Sequence, residues 1–160
     1  TQSFLFLPLS GALFPYMTRL YGDDSDRYRI QFKQFVGVMM AVTIAAALVL
    51  YALAPSLVKL LFGDEYLAAV PFVRIMAPLL VATTLFYFTV QQGLIVLKRD
   101  RLHMLIILMT GIGAVVFNLL FVPQGGAWAA SWIKTGVDWT SALVGVILYV
   151  RAWKRAHPKQ

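Results

Sequence analysis

LLFGDEYLAAVPFVRIMAPLLVATTLFYFTVQQGLIVLKRDR, residues 60–101, sets the reading of the whole chain. It opens on a turn carrying Asp64 and Glu65 and closes on a basic knot, Lys98, Arg99 and Arg101. Between Arg74 and Lys98 lie 23 residues without a charge. A helix needs about 20 apolar residues to cross a bilayer core. The stretch therefore reads as one crossing with unlike ends.

Composition extends that reading outward. Of 160 residues, 60% are hydrophobic and only 13% charged, with a mean hydropathy of +0.75. Soluble domains are nearer about 25% charged. Lipid offers no hydrogen-bond partners, so only helices or closed barrels span it. The apolar runs here are continuous rather than alternating, which argues against a barrel. The net charge of +7 sits beside those runs, so it reads as topology rather than as a nucleic-acid surface. Cysteine is absent, which removes disulfides and thiolate metal sites from consideration.

The fold class expected is all-α, a polytopic transmembrane helix bundle. A partial first span covers residues 3–17, and four full spans follow at about 35–58, 68–97, 102–122 and 127–150. Residues 151–160 form a basic tail expected to fray into water. The opening TQSFLFLPLSGALFPYM is short for a span, with Pro8, Gly11 and Pro15 inside it. It reads as the end of a helix in a larger protein, of which this chain is the C-terminal lobe. Gly37, Ala41 and Ala45 give the second span a face of small residues for close helix packing. Pro55 is placed to kink or stop that span, and Pro78 to kink the next. In the fourth span Ile107, Gly111, Ala114 and Asn118 share a face. VPQGG, residues 122–126, is a very short turn.

Charge counting orients the bundle. Residues 19–33 carry Arg19, Arg27, Arg29 and Lys33; residues 98–101 carry Lys98, Arg99 and Arg101; the tail carries Arg151, Lys154, Arg155 and Lys159. The other side holds Lys59. Eleven against one puts those three junctions, and the C-terminus, on the cytoplasmic side of a cell (inner, cytoplasmic) membrane. Tyr149 and Trp153 at the inner boundary, with Tyr66 at the outer, read as an aromatic belt.

Ionisable groups within spans are the candidate functional residues, because each costs about +2.5 to +3.5 kcal/mol in lipid unless paired or wetted. Arg74 lies about 9 Å into the third span at 1.5 Å per residue. It either snorkels outward, paired with Asp64 or Glu65, or lines a cavity as an anion contact. Lys134 and Asp138 are four residues apart, and Asp138 lies about 16 Å into the fifth span. They form either a packing ion pair or a lumen site for substrate or a coupling ion. Ser131, Lys134, Asp138, Ser141 and Gly145 recur at helical spacing as a polar stripe, beside Trp128, Trp132 and Trp139. Gln91, Gln92 and Asn118 are neutral polar groups expected to line the lumen or bond between helices. His103 and His157 have no metal-ligand spacing. No catalytic motif, metal site or cofactor site is expected.

The opening stretch resembles the second half of polysaccharide flippases, where a span ends in an LLFG..Y..A turn and the next in an L.A..R knot. GALFPYMTRLYGDD, residues 11–24, is similar to that family's AL.P..SRLY...D segment. Asn118 with FVPQGGAWAA, residues 121–130, resembles its N..L.P..G..GAAWA turn. The pattern covers about residues 9–150 and belongs to O-antigen and teichoic-acid exporter-like proteins. These lie within the multidrug, oligosaccharidyl-lipid and polysaccharide exporter superfamily. The resemblance implies a flippase, not an enzyme, that moves lipid-linked oligosaccharide outward by alternating access. It implies two lobes around a cationic cavity, with an N-terminal lobe preceding this one. Arg74 and Lys134 would then be cavity cations and Asp138 a coupling-ion or relay group. Partners would be the lipid-linked oligosaccharide, membrane lipids and the other lobe, with no nucleic acid. A drug or cation exporter of the same superfamily, and a membrane-embedded sugar-chain polymerase or ligase, remain alternatives.

Overall fold

A computed structural model describes residues 17–22 and 24–156. The described residues are helical, without a strand. Three helical stretches, Arg27–Phe62, Asp64–Leu94 and Asp100–Ala156, are long and apolar enough to cross a membrane. The proposed span 3–17 lies almost wholly outside the described residues, as do His157 and Lys159.

Helix α1 (Ser25–Phe62) is one 38-residue helix. Its start is fixed by Asp24, whose Oδ1 accepts the Arg27 N–H at 3.0 Å and satisfies one of the free donors of the first turn. The helix runs on through Pro55 to Phe62, so of the two expected outcomes, a kink or a stop, the stop does not occur. Cross-helix support for the freed carbonyl makes that possible, as described below.

The second stretch is broken in several places. A 3₁₀ turn (Asp64–Ala69) leads into α2 (Val70–Met76), with Pro71 in its first turn, where a missing N–H costs nothing. Pro78 then interrupts the ladder. The N–H of Val81 turns back to the Pro78 carbonyl at 3.1 Å, and α3 (Leu79–Phe86) starts afresh. A π-helical segment (Tyr87–Leu94) follows. It closes at Lys98, which holds a left-handed φ of 55°. The Arg99 N–H reaches the Leu94 carbonyl at 2.8 Å, and the Lys98 N–H reaches that of Ile95 at 2.9 Å. This pairing of bonds is a Schellman closure, and glycine is its usual left-handed residue.

Helix α4 (Asp100–Ala156) is helical in name over 57 residues but reverses at Gly126, whose φ of 54° and ψ of −140° fit only glycine. The proof of reversal is a side-chain contact. Thr110 Oγ1 lies 2.8 Å from Ser141 Oγ, 31 residues on. A straight helix would hold those residues about 46 Å apart. Residues 100–125 and 127–156 are therefore two antiparallel arms, with the VPQGG turn at their tip.

The second arm is the hub of the bundle. It runs parallel to residues 64–94: Phe72 meets Trp128 at 4.8 Å between ring centres, and Thr135 meets Ile75. It runs antiparallel to α1, where Phe32 meets Tyr149 and Tyr28 stacks on Trp153 at 5.8 Å. Closest approach comes where glycines face side chains. A Cβ on Gly93 would fall 2.6 Å from the Tyr149 ring, and one on Gly145 would overlap Val90. Small residues let helices approach in this way. Sequence pattern placed that role on Gly37, Ala41 and Ala45. Instead Gly37 has open space where a Cβ would sit, and Ala41 and Ala45 are exposed among the described residues.

The main core lies at one end. Tyr28, Phe32, Phe88, Val90, Leu94, Ile106 and Trp153 form one buried cluster, with Tyr21 and Tyr149 packed against it. Trp153 is only 8% exposed, with the Arg29 guanidinium 6.0 Å from its ring centre. Two expectations are corrected here. Residues 151–156 do not fray but continue the helix, because Ala152 and Trp153 are buried. Tyr149 and Trp153 are packing residues rather than a lipid-facing belt. The Tyr28 hydroxyl is buried and faces that of Tyr149 without reaching hydrogen-bonding geometry.

Candidate functional site

Alternation of helix direction gathers the basic residues. Arg19, Arg27, Arg29, Lys33, Lys98, Arg99, Arg101, Arg151, Lys154 and Arg155 fall at the aromatic end, and Lys59 falls at the other. Lys134 and Asp138 lie between the ends, and Arg74 lies towards the Lys59 end, next to the Ala54, Val58 and Val70 cluster.

Arg74 is held by a consequence of Pro55. In a helix the Tyr51 carbonyl would accept the N–H of residue 55, but proline has none. Arg74 Nε donates to that carbonyl at 3.4 Å, and its guanidinium sits 5.3 Å from the centre of the Tyr51 ring. Asp64, one of the expected partners of Arg74, pairs instead with Lys59 at 3.0 Å, both exposed. The interruption at Pro78 differs. Thr135 Oγ1 lies 3.4 Å from the Ile75 carbonyl and 2.9 Å from its own helix's Ser131 carbonyl. The single Thr135 proton goes to Ser131, the shorter contact, and Ile75 lies three rather than four residues before Pro78. Only the Pro55 break therefore has its freed carbonyl bonded by a side chain of a neighbouring helix.

Lys134 Nζ is ion-paired with Asp138 Oδ2 across one turn. The side chains are 57% and 20% exposed, so the pair stands at the edge of the packed face with its lysine outward. Asp138 is about 18 Å from the Gly126 reversal at 1.5 Å per residue. The pair therefore sits deep along its arm.

The neutral polar residues divide. Ser131 is buried and its hydroxyl donates to the Ala127 carbonyl at 2.8 Å. Gln92 is buried and its Nε2 donates to the Tyr87 hydroxyl at 3.0 Å, within the π-helical segment. Gln91, its neighbour, is exposed. Asn118 Nδ2 donates to its own helix at Ala114, 2.7 Å away, rather than to another helix. Ser141 crosses to Thr110, which the sequence reading did not single out. Both hydroxyls also lie 2.7 Å from carbonyls of their own arms, Val137 and Ile106. Two hydroxyl protons cannot make three bonds, so one hydroxyl donates across and the other donates back. Thr110, Thr135 and Tyr51 had one usable signal among them: the residue four before a proline has a free carbonyl.

Between the arms of α4 lies an apolar cleft of about 680 Å³ with the Thr110–Ser141 bond in its wall. Among the described residues no three His, Asp or Glu side chains gather as a metal site. No protein-family model, curated protein or solved structure matches this chain.

Proposed function

We propose that this chain is part of a membrane exporter that flips lipid-linked oligosaccharide, of O-antigen or teichoic-acid type, across the cytoplasmic membrane by alternating access. The observation that carries the proposal is the Lys134–Asp138 pair. Its lysine is exposed while the same arm buries Ser131, Ser141 and Gly145. Facing lipid at that depth, one charge costs about +2.5 to +3.5 kcal/mol. The favourable neighbour is water or another polar surface, as at the wall of a cavity. A cation on such a wall suits a sugar chain carried on phosphate.

Lys134 is the anion contact in this scheme and Asp138 holds it in place. Arg74 is the lesser candidate, because its Nε is committed to the Tyr51 carbonyl. The basic end faces the cytoplasm, where excess Lys and Arg are retained, and the C-terminus lies on that side. The remainder of the cavity comes from a preceding lobe of the same protein.

The test is export of lipid-linked oligosaccharide by the full-length protein. Lys134→Ala should lower export at least tenfold at unchanged protein level, while Lys134→Arg should retain most of it. The exchanged pair Lys134→Asp/Asp138→Lys separates contact from packing. It restores an ion pair but moves the cation by one turn. Recovery of export in the exchanged pair would break the proposal, because the lysine would then act only as a partner for Asp138.

A further inference from the structure

We infer that the cleft between the arms of α4 binds one anionic phospholipid, with an acyl chain in the cleft and the headgroup phosphate against Arg101 and Arg151. The cleft is open along its length and walled by apolar side chains. Leu105, Met109 and Phe117 stand on one arm and Val137, Val144 and Leu148 on the other. Most of these are exposed or half-buried in the protein alone. From Leu105 to Phe121 it runs about 24 Å, more than one leaflet's share of a hydrocarbon core of about 30 Å.

Charge decides what kind of chain fits. Residues 101, 105 and 109 follow one another at four-residue spacing, so Arg101 continues the first wall by one turn. Residues 144, 148 and 151, at spacings of four and three, continue the second wall and end on Arg151. The Thr110–Ser141 pairing places position 101 opposite position 150, so the two arginines flank the same mouth. Both are exposed. Lys98 and Arg99 join Arg101 around an adjoining hollow of about 300 Å³, where Asp100 is the one acid. The tip end of the cleft carries Phe121 and Trp132 and no charge. An apolar slot with cations at one mouth matches an amphiphile with an anionic head. A zwitterionic lipid brings the same phosphate together with a cation of its own, which the basic mouth repels, and a further apolar helix would leave the arginines unmatched.

This inference rests on the membrane placement above but not on the flippase proposal. The full chain is reconstituted in phosphatidylcholine bilayers containing spin-labelled phosphatidylglycerol or spin-labelled phosphatidylcholine. Electron spin resonance reads the motionally restricted fraction of each. Phosphatidylglycerol should be retained at least about fivefold more strongly, the effect of one basic side chain near a charged surface. Arg101→Gln/Arg151→Gln should bring that ratio close to one. Arg27→Gln/Lys33→Gln, which removes equal charge at the same end away from the cleft, should leave it unchanged. Gly136→Leu fills the cleft, and a Cβ there meets nothing within 4 Å, so the variant should fold. It should release the restricted lipid, as should Val144→Phe. Equal retention of both lipids, equal loss in the Arg27/Lys33 control, or retention in both filled variants would each overturn the inference. Absence of any restricted lipid would overturn the membrane placement with it, whereas the flippase proposal is judged by export alone.

Discussion

The two ends of this bundle are built by different means. At the basic end, α1, the π-helical segment and the second arm of α4 meet through rings. Tyr28 stacks on Phe32 at 5.4 Å and on Trp153 at 5.8 Å, and Phe35 meets Phe88 edge-on at 5.4 Å. At the far end the buried cluster is only Ala54, Val58 and Val70, with Val73 against it. There the helices carry two proline breaks; Arg74 bonds to the backbone at Pro55, and Thr135 lies beside the backbone near Pro78. Ring packing is dense and has few alternative arrangements. A single side-chain bond to a carbonyl is weak enough to break and remake. The basic end is therefore expected to be the more rigid of the two and the proline-broken end the more easily deformed.

The strongest way to break this comparison is to remove the ring on which the basic end depends. Trp153 touches Tyr21, Tyr28 and Arg29 and is almost fully buried. Truncating a buried tryptophan to alanine costs about 3–5 kcal/mol. Trp153→Ala should therefore lower the thermal midpoint in detergent far more than Phe72→Ala, which removes a ring whose partner, Trp128, is itself half exposed. Equal losses at the two positions would show that the ends are equally packed.

How far the sequence revealed this arrangement depends on which residues carry it. Charge-free runs revealed the long helices, since length and hydropathy suffice for that. The VPQGG reversal was legible because proline and two glycines in a row end a helix. The aromatic end was not legible. Tyr28 and Phe32 sit in a stretch dense with Arg, Lys and Asp, so the segment read as a charged junction between spans. Only contact with Trp153, more than a hundred residues on, shows that they are core. The close-packing glycines were misplaced for a similar reason. Gly37, Ala41 and Ala45 fit the local spacing rule, whereas Gly93 and Gly145 meet their partners, Tyr149 and Val90, only in three dimensions. For the site, Lys134 and Asp138 were legible as an i, i+4 pair. Arg74 was visible as an anomaly, but its tie to Tyr51 required knowing which helix lay beside it.

The tie at the far end can be tested by a double-mutant cycle. Arg74→Leu removes the donor to the Tyr51 carbonyl. Polar contacts of this kind within membrane helices are worth about 0.6 to 1.7 kcal/mol. Pro55→Ala returns an N–H at the position where the helix lacks one. In that background the carbonyl no longer needs Arg74, so Arg74→Leu should cost close to nothing. Unfolding equilibria of the four proteins give the coupling directly. An unchanged cost of Arg74→Leu in the Pro55→Ala background would mean that Arg74 does not serve the proline gap.

The smallest effect expected lies at the basic end and runs the other way. Lys98 occupies the left-handed position of the Schellman closure at φ 55°, a conformation that costs a side-chain-bearing residue about 1 kcal/mol relative to glycine. Lys98→Gly relieves that strain, and the exposed side chain takes no packing with it. It should raise stability by up to about 0.5 kcal/mol in the same unfolding assay, after the larger chain entropy of unfolded glycine is set against the relief. Arg99→Gly, one residue on and at ordinary backbone angles, should lower stability instead. Opposite signs at adjacent positions locate the effect in one backbone angle rather than in loss of a positive charge. A lysine kept at a strained position in the most tightly built part of the bundle then has to be accounted for by its charge, which stands beside Arg99 and Arg101 at the hollow next to the cleft mouth.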